Sequence, residues 1–131
     1  MKGKKMGPLL RIFCVEDNKD IAYILRIQLE DLGYQLCGIA DNARDAVAGI
    51  RKSNPDIVLV DIELHGKPEG LEIGKFLGLE TDIPFIYLSG HDDPKILENA
   101  RKTIPAGYLM KPFGDQELKV ALEMVQMIGE V

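Results

Sequence analysis

The stretch "DIVLVDIEL", residues 56–64, sets four apolar residues, Ile57 to Val60, directly before a carboxylate, Asp61. A strand that is apolar at every position is covered on both faces, as the strands of parallel sheets are. A charge at the mouth of such a strand costs free energy unless it is paired or binds a cation. The stretch "RIFCVED", residues 11–17, repeats the arrangement, with Ile12 to Val15 running into Glu16 and Asp17. Two such junctions in one chain point to a mechanism.

Outward from these two strands, the chain alternates strand and helix. Strand 1 spans about Leu10 to Val15, and Asn18 is a good N-cap for a helix with Ile21, Ile24, Leu25, Leu29 and Leu32 at helical spacing, stopped by Gly33. Strand 2 spans about Gln35 to Ala40. Helix 2, capped by Asp41 or Asn42, carries Ala43, Ala46, Val47 and Ile50 and ends before Pro55. Strand 3 is Ile57 to Val60, and the turn-rich "ELHGKPEG" separates it from a helix over about Leu71 to Leu79. Strand 4 is Pro84 to Leu88. Helix 4 has Pro94 in its first turn and Leu97, Ala100 and Ile104 inside. Strand 5 is Ala106 to Met110, and helix 5 starts near Asp115. Strands separated by helices are parallel, so the expected fold is α/β, a (βα)5 doubly wound three-layer sandwich with a five-stranded parallel sheet of order 2-1-3-4-5, flavodoxin-like.

Composition sets the outer limits. A chain of 131 residues with 46% apolar and 28% charged residues is the size and kind of one folded domain. The net charge of −5 argues against direct nucleic-acid or anionic-membrane binding. No apolar run approaches the roughly 20 residues that span a bilayer. The basic start, with Lys2, Lys4 and Lys5, reads as a solvated flexible tail over residues 1–8 rather than a signal peptide. Cys14 and Cys37 each fall in an expected buried strand with no second ligand at metal spacing, so they read as apolar thiols, and a reducing cytoplasm follows.

In a parallel sheet every strand C-terminus lies on one edge, and ligands bind there, where the strand order reverses. That edge receives Glu16 and Asp17 from strand 1, Asp61 from strand 3, Ser89 from strand 4 and Lys111 from strand 5. Strands 1 and 3 are neighbours, so three carboxylates crowd one crevice. A divalent hard cation resolves their repulsion. Mg²⁺ takes octahedral oxygen coordination from one or two carboxylates, water and phosphate oxygens, with Mn²⁺ the alternative ion. Asp17 and Asp61, Glu16 directly or through water, and the backbone carbonyl of Glu63 are the expected metal ligands. Aspartate is also a phosphoryl acceptor. Asp61, flanked by Ser89 and Lys111, is placed to be one, with positive charge from Lys111 and the ion and a hydroxyl donor from Ser89.

Glu16-Asp17, Asp61, Ser89, Tyr108 and Lys111-Pro112, each at or near a strand end and in this order, resemble the receiver domains of two-component response regulators, of the CheY-like kind. The resemblance covers about residues 9 to 129, and the receiver domain is taken as 9–131. It implies phosphorylation of the central Asp61 by a sensor histidine kinase or a histidine phosphotransfer protein, Ser89 and Tyr108 as switch residues, Lys111 as a phosphate contact, and a cis Lys111-Pro112 peptide. It implies a change of the helix 4–strand 5–helix 5 face that controls an output domain or protein, and the same face offers a homodimer surface. The loop after Asp61 departs from the common pattern: His65 stands where the family often has Pro, and the loop is one residue longer. Glu63 and His91, two residues beyond Asp61 and Ser89, sit at the rim of the crevice, where they are expected to tune phosphate lifetime. Two other classes share some of these features. One is an aspartate-nucleophile phosphatase of the haloacid dehalogenase type, whose nucleophile lies on the first strand, unlike Asp61. The other is a degenerate receiver acting only as a binding module, against which the complete acidic set argues.

Overall fold

The computed structural model describes residues 10–90 and 93–129; the expected tail, residues 1–8, lies outside them. The elements are β1 Arg11–Val15, α1 Lys19–Asp31, β2 Gln35–Ala40, α2 Ala43–Ser53, β3 Ile57–Asp61, α3 Gly70–Glu80, β4 Phe85–Ser89, α4 Pro94–Arg101, β5 Gly107–Met110 and α5 Asp115–Gly129. The sheet has five strands in the order β2-β1-β3-β4-β5, and every neighbouring pair is parallel.

Local chemistry starts three of the helices, and stops α1, where the sequence suggests. The Asn18 side chain accepts from the backbone N–H groups of Asp20 and Ile21, and Asn42 from that of Asp45. Asp93 accepts from Lys95 N–H, with Pro94 in the first turn of α4. Gly33, at φ 93°, takes the left-handed conformation that ends α1 at little cost.

Alternation along each strand feeds two cores. One packs Phe13, Val15, Val58, Val60, Phe85 and Tyr87 of the sheet against α2, α3 and Ala100 of α4. The other packs Ile12, Cys14, Ile57, Leu59, Ile86, Leu88 and Leu109 against α1 and α5. All five residues of β3 and of β4 are buried, as strands covered on both faces must be.

Four expectations need correction. Asp61 and Ser89 do not follow their strands but close them: Asp61 pairs with Leu88 and Ser89 with Met110 in the ladders. Strand 5 is one residue shorter than expected, beginning at Gly107. Ile104 is not inside α4. The helix ends at Arg101, Ile104 sits beyond it at φ 58° and is 82% exposed, and Pro105 has no N–H with which to continue a helix. Cys37 is half-buried rather than buried, because β2 is an edge strand with solvent on its unpaired side, whereas Cys14 is fully buried.

Candidate functional site

The crevice at the C-terminal edge of β1 and β3 is lined by Glu16, Asp17, Asn18, Ile21, Asp61, Glu63, Gly66, Gly90 and Lys111 and has a volume of about 270 Å³. Carboxylate oxygens of Glu16, Asp17 and Asp61 lie within 4.8 Å of one another. Glu16 and Asp61 are almost wholly buried, at 2% and 4% exposure. Two buried carboxylates this close require a counter-charge, and Lys111 provides it. Its Nζ donates to Glu16 Oε1 at 2.9 Å and to Asp61 Oδ2 at 2.5 Å. The other oxygen of each carboxylate takes a backbone donor: Asn18 N–H reaches Glu16 Oε2 at 3.1 Å, and Glu63 N–H reaches Asp61 Oδ1 at 3.1 Å. His65 N–H donates to Asp17 Oδ2 at 2.8 Å.

These contacts set the protonation of the site. Burial pushes the Glu16 carboxyl up to about 7, with Asp61 adding to the rise and the Lys111 ammonium opposing it. Burial works to lower Lys111, but its hydrogen bonds to Asp61 and Glu16 outweigh that and hold it above the ordinary lysine value. The modest burial of Asp17 works to raise it, but the hydrogen bond from His65 N–H, its own backbone N–H, Glu16 and the His65 ring together outweigh that, so its carboxyl lies below the usual range.

The donor set fits Mg²⁺. It is all oxygen, it carries excess negative charge, and its carboxylates approach the roughly 4.2 Å that separates opposite oxygens on one Mg²⁺. Glu16, Asp17 and Asp61 would hold the ion, with Glu63 on the same wall.

The other sequence-expected residues fall in two places. Ser89 is buried at the end of β4, and its carbonyl accepts from Lys111 N–H at 2.8 Å, which ties the ends of β4 and β5 together. The Lys111–Pro112 peptide is cis. Tyr108 does not line the crevice. It stands on β5, 42% exposed, with its ring 6.0 Å from that of Tyr87, its partner in the ladder. His91 lies outside the described residues.

Two residues carry more than their sequence context suggested. Tyr87 is fully buried, and its hydroxyl meets Thr103 Oγ1 at 2.7 Å. Thr103 Oγ1 donates to the Ala100 carbonyl at 2.7 Å, so the Tyr87 hydroxyl is the donor to Thr103. A chain of hydroxyls thus joins the middle of β4 to the end of α4. Gly74 on α3 leaves room for it, since a Cβ there would overlap the Tyr87 hydroxyl. The strand pattern showed Tyr87 only as an apolar position, and its partner lies 16 residues away. His65, which the sequence placed in the turn-rich loop after Asp61, touches Asp17 and the loop after β2.

A larger open depression, about 590 Å³, lies at the opposite end of the sheet between α2 and α3. Its Arg51 is already paired with Glu80 at 2.9 Å and lies over the Phe76 ring at 5.1 Å. Among the described residues, the cluster of three carboxylates lies in the smaller crevice.

Fold and site define a flavodoxin-like domain with a charged crevice at the switch point of a parallel sheet. The chain belongs to the response regulator receiver domain family, whose family model matches residues 12–123. It is 30% identical over 120 residues to the transcriptional regulatory protein KdpE of Staphylococcus aureus, covering 92% of this chain and 51% of that protein. It is also 30% identical over 108 residues to the DNA-binding response regulator MtrA of Mycobacterium tuberculosis, covering 82% of this chain and 46% of that one. The chain thus spans about half the length of these curated relatives. Among solved structures, it superposes with a TM-score of 0.87 and 36% identity on the signal receiver domain of a modulated diguanylate cyclase from Desulfovibrio desulfuricans, covering 94% of this chain and 98% of that one. A CheY-like receiver domain from Methanospirillum hungatei matches with a TM-score of 0.80 and 25% identity, covering 95% of this chain and 100% of that one. Domains of this family are parts of two-component signalling rather than metabolic enzymes. No helix among the described residues is long and apolar enough to cross a membrane.

Proposed function

We propose that this chain is a phosphoacceptor switch: Asp61 takes a phosphoryl group from a phosphohistidine of a sensor histidine kinase or histidine phosphotransfer protein, in a reaction that needs Mg²⁺ or Mn²⁺. The observation that carries the reading is the meeting of Asp61 with Glu16, Asp17 and Lys111 in one crevice. A bound Mg²⁺ supplies positive charge against the phosphoryl oxygens. A carboxylate oxygen of Asp61 forms the new O–P bond as the P–N bond to the donor imidazole breaks, and the imidazole nitrogen keeps the electron pair and takes a proton. Lys111 moves its ammonium from the carboxylate pair to a phosphoryl oxygen, and the Ser89 hydroxyl donates to another.

The response follows from β4. As Ser89 turns toward the phosphoryl group it vacates space on the face it shares with Tyr87, and Tyr108 turns inward. Two conformers a few kcal/mol apart are enough for phosphorylation to shift the population and reshape the α4–β5–α5 face. That face governs an output domain or protein and can pair two copies of the chain. Glu63 and His91 tune the lifetime of the phosphoryl group through the attacking water. The setting is the cytoplasm, with no direct contact to nucleic acid or membrane.

The test is intact-mass measurement after incubation with a small phosphodonor and Mg²⁺. One phosphoryl group is expected on wild type. Labelling that survives in Asp61→Asn or in excess EDTA would overturn the assignment. A second measurement addresses the switch: with a beryllium fluoride mimic of the phosphoryl group, amide shifts are expected around Tyr108 as well as in the crevice. Shifts confined to the crevice would leave the switch without support.

A further inference from the structure

We propose that His65 is a positioning residue for the metal ligand Asp17 and thereby sets how tightly the crevice holds a divalent ion. This rests on the metal-dependent reading above.

The loop after β3 contains a two-residue turn. Leu64 and Lys67 exchange backbone hydrogen bonds at 2.8 and 3.1 Å, and the residues between them, His65 and Gly66, have φ of 54° and 77°. Positive φ at both central positions is the mark of a primed turn. Gly66 adopts it freely. A histidine there resists it, though less than most side chains. What holds His65 in place is its ring: Nε2 lies 2.9 Å from the Asp41 carbonyl in the loop after β2. A carbonyl can only accept, so Nε2 carries the proton and donates. Glu69, also beyond β3, ties down the start of α2, with Oε2 accepting from Ala43 N–H at 3.0 Å.

The fixed turn aims the His65 backbone N–H at Asp17 Oδ2. Asp17 has more need of such a partner than the other two carboxylates. Its side chain is 24% exposed, against 1% for Glu16 and 5% for Asp61, and Lys111 does not reach it. Left alone, an exposed aspartate samples several rotamers, and an ion must select one. Held by an N–H on one oxygen, it presents the other ready for the ion. Hydrogen bonds of this outer kind are worth 10- to 100-fold in metal affinity. The His65 ring thus acts by two routes: it fixes the turn whose N–H holds the ligand, and its own Nδ1 lies 3.9 Å from Asp17 Oδ2.

The test is Mg²⁺ binding by isothermal titration calorimetry at pH 8, with wild type, His65→Ala and His65→Gly. Both variants are expected to bind about tenfold more weakly, the low end of the range for outer partners. His65→Gly discriminates, because glycine keeps the positive φ without strain and loses only the ring. If His65→Gly binds Mg²⁺ as wild type does, the proposal is overturned. A second readout needs no metal: the amide at position 65 exchanges slowly in wild type and is expected to exchange faster in both variants. Equal protection in His65→Gly overturns the proposal as well. Wild type that binds no Mg²⁺ would overturn the metal reading, and this inference with it.

Discussion

The two flanks of the sheet's C-terminal edge are built on different principles. At the β1–β3 flank, Glu16 and Asp61 are buried and the half-buried Lys111 joins them by charge-assisted hydrogen bonds no longer than 2.9 Å. At the β4–β5 flank, Tyr87, Thr103 and Tyr108 meet through rings and neutral hydroxyls, and Tyr108 is 42% exposed. The first arrangement is rigid, because a buried charge that leaves its partner is strongly penalised. The second has weaker, neutral contacts and an exposed ring, which suits the change of state proposed for it. On the proposed function, chemistry would sit on the rigid flank and the response on the looser one.

The sharpest way to break this comparison is at Asp61. Asp61→Asn removes the nucleophile while keeping the side chain's size, and phosphoryl uptake should fall to nothing by intact mass. Uptake at another residue would show that the rigid flank does not hold the chemistry.

The next effect is one of pH and belongs to the same flank. The Glu16 carboxyl holds its proton to about pH 7 in the folded chain, above the ordinary 4.5. Its contribution to the stability of the metal-free protein is therefore fully present below pH 4.5 and lost as the pH rises through 7. For Mg²⁺ the sign reverses, since the ion must displace that proton. Apparent Mg²⁺ affinity should rise about tenfold per pH unit below 7 and level off above it. Calorimetric titrations from pH 5.5 to 8.5 check this, and a flat profile would mean that Glu16 is already ionised.

On the other flank, Gly74→Ala forces a methyl group into the space of the Tyr87 hydroxyl. Overpacking of this kind costs about 1–3 kcal/mol. Urea unfolding should show that loss, and Tyr87→Phe in the same chain should recover part of it. Strictly additive effects of the two substitutions would deny the contact between α3 and β4.

The smallest expected effect concerns the lifetime of the phosphoryl group. Replacing Glu63 and His91 with Ala should change the dephosphorylation rate several-fold, about 1 kcal/mol in barrier, while uptake at Asp61 persists. A decay rate equal to wild type after rapid removal of phosphodonor would take both residues out of the mechanism.

The sequence by itself determined the (βα)5 order, the parallel sheet and the polar residues gathered at its C-terminal edge. The reason is periodicity: continuous apolar strands between amphipathic helices admit few arrangements, and a parallel sheet sends every strand end to one edge. Glu16, Asp17, Asp61, Ser89 and Lys111 were legible because a charge or hydroxyl ending an apolar run is conspicuous. Tertiary structure alone decided the rest. Ile104 fits the helical spacing, yet α4 stops before it and leaves it exposed. Cys37 reads as buried, yet its strand lies at an edge. The Tyr87–Thr103 link joins residues 16 apart, and the His65 contacts reach back 48 positions to Asp17 and 24 to Asp41. Such contacts leave no periodic mark in a sequence, because they depend on where loops land once the sheet has assembled. Patterning chose the fold and the edge that holds the charges, and packing chose which loop atoms hold those charges in place.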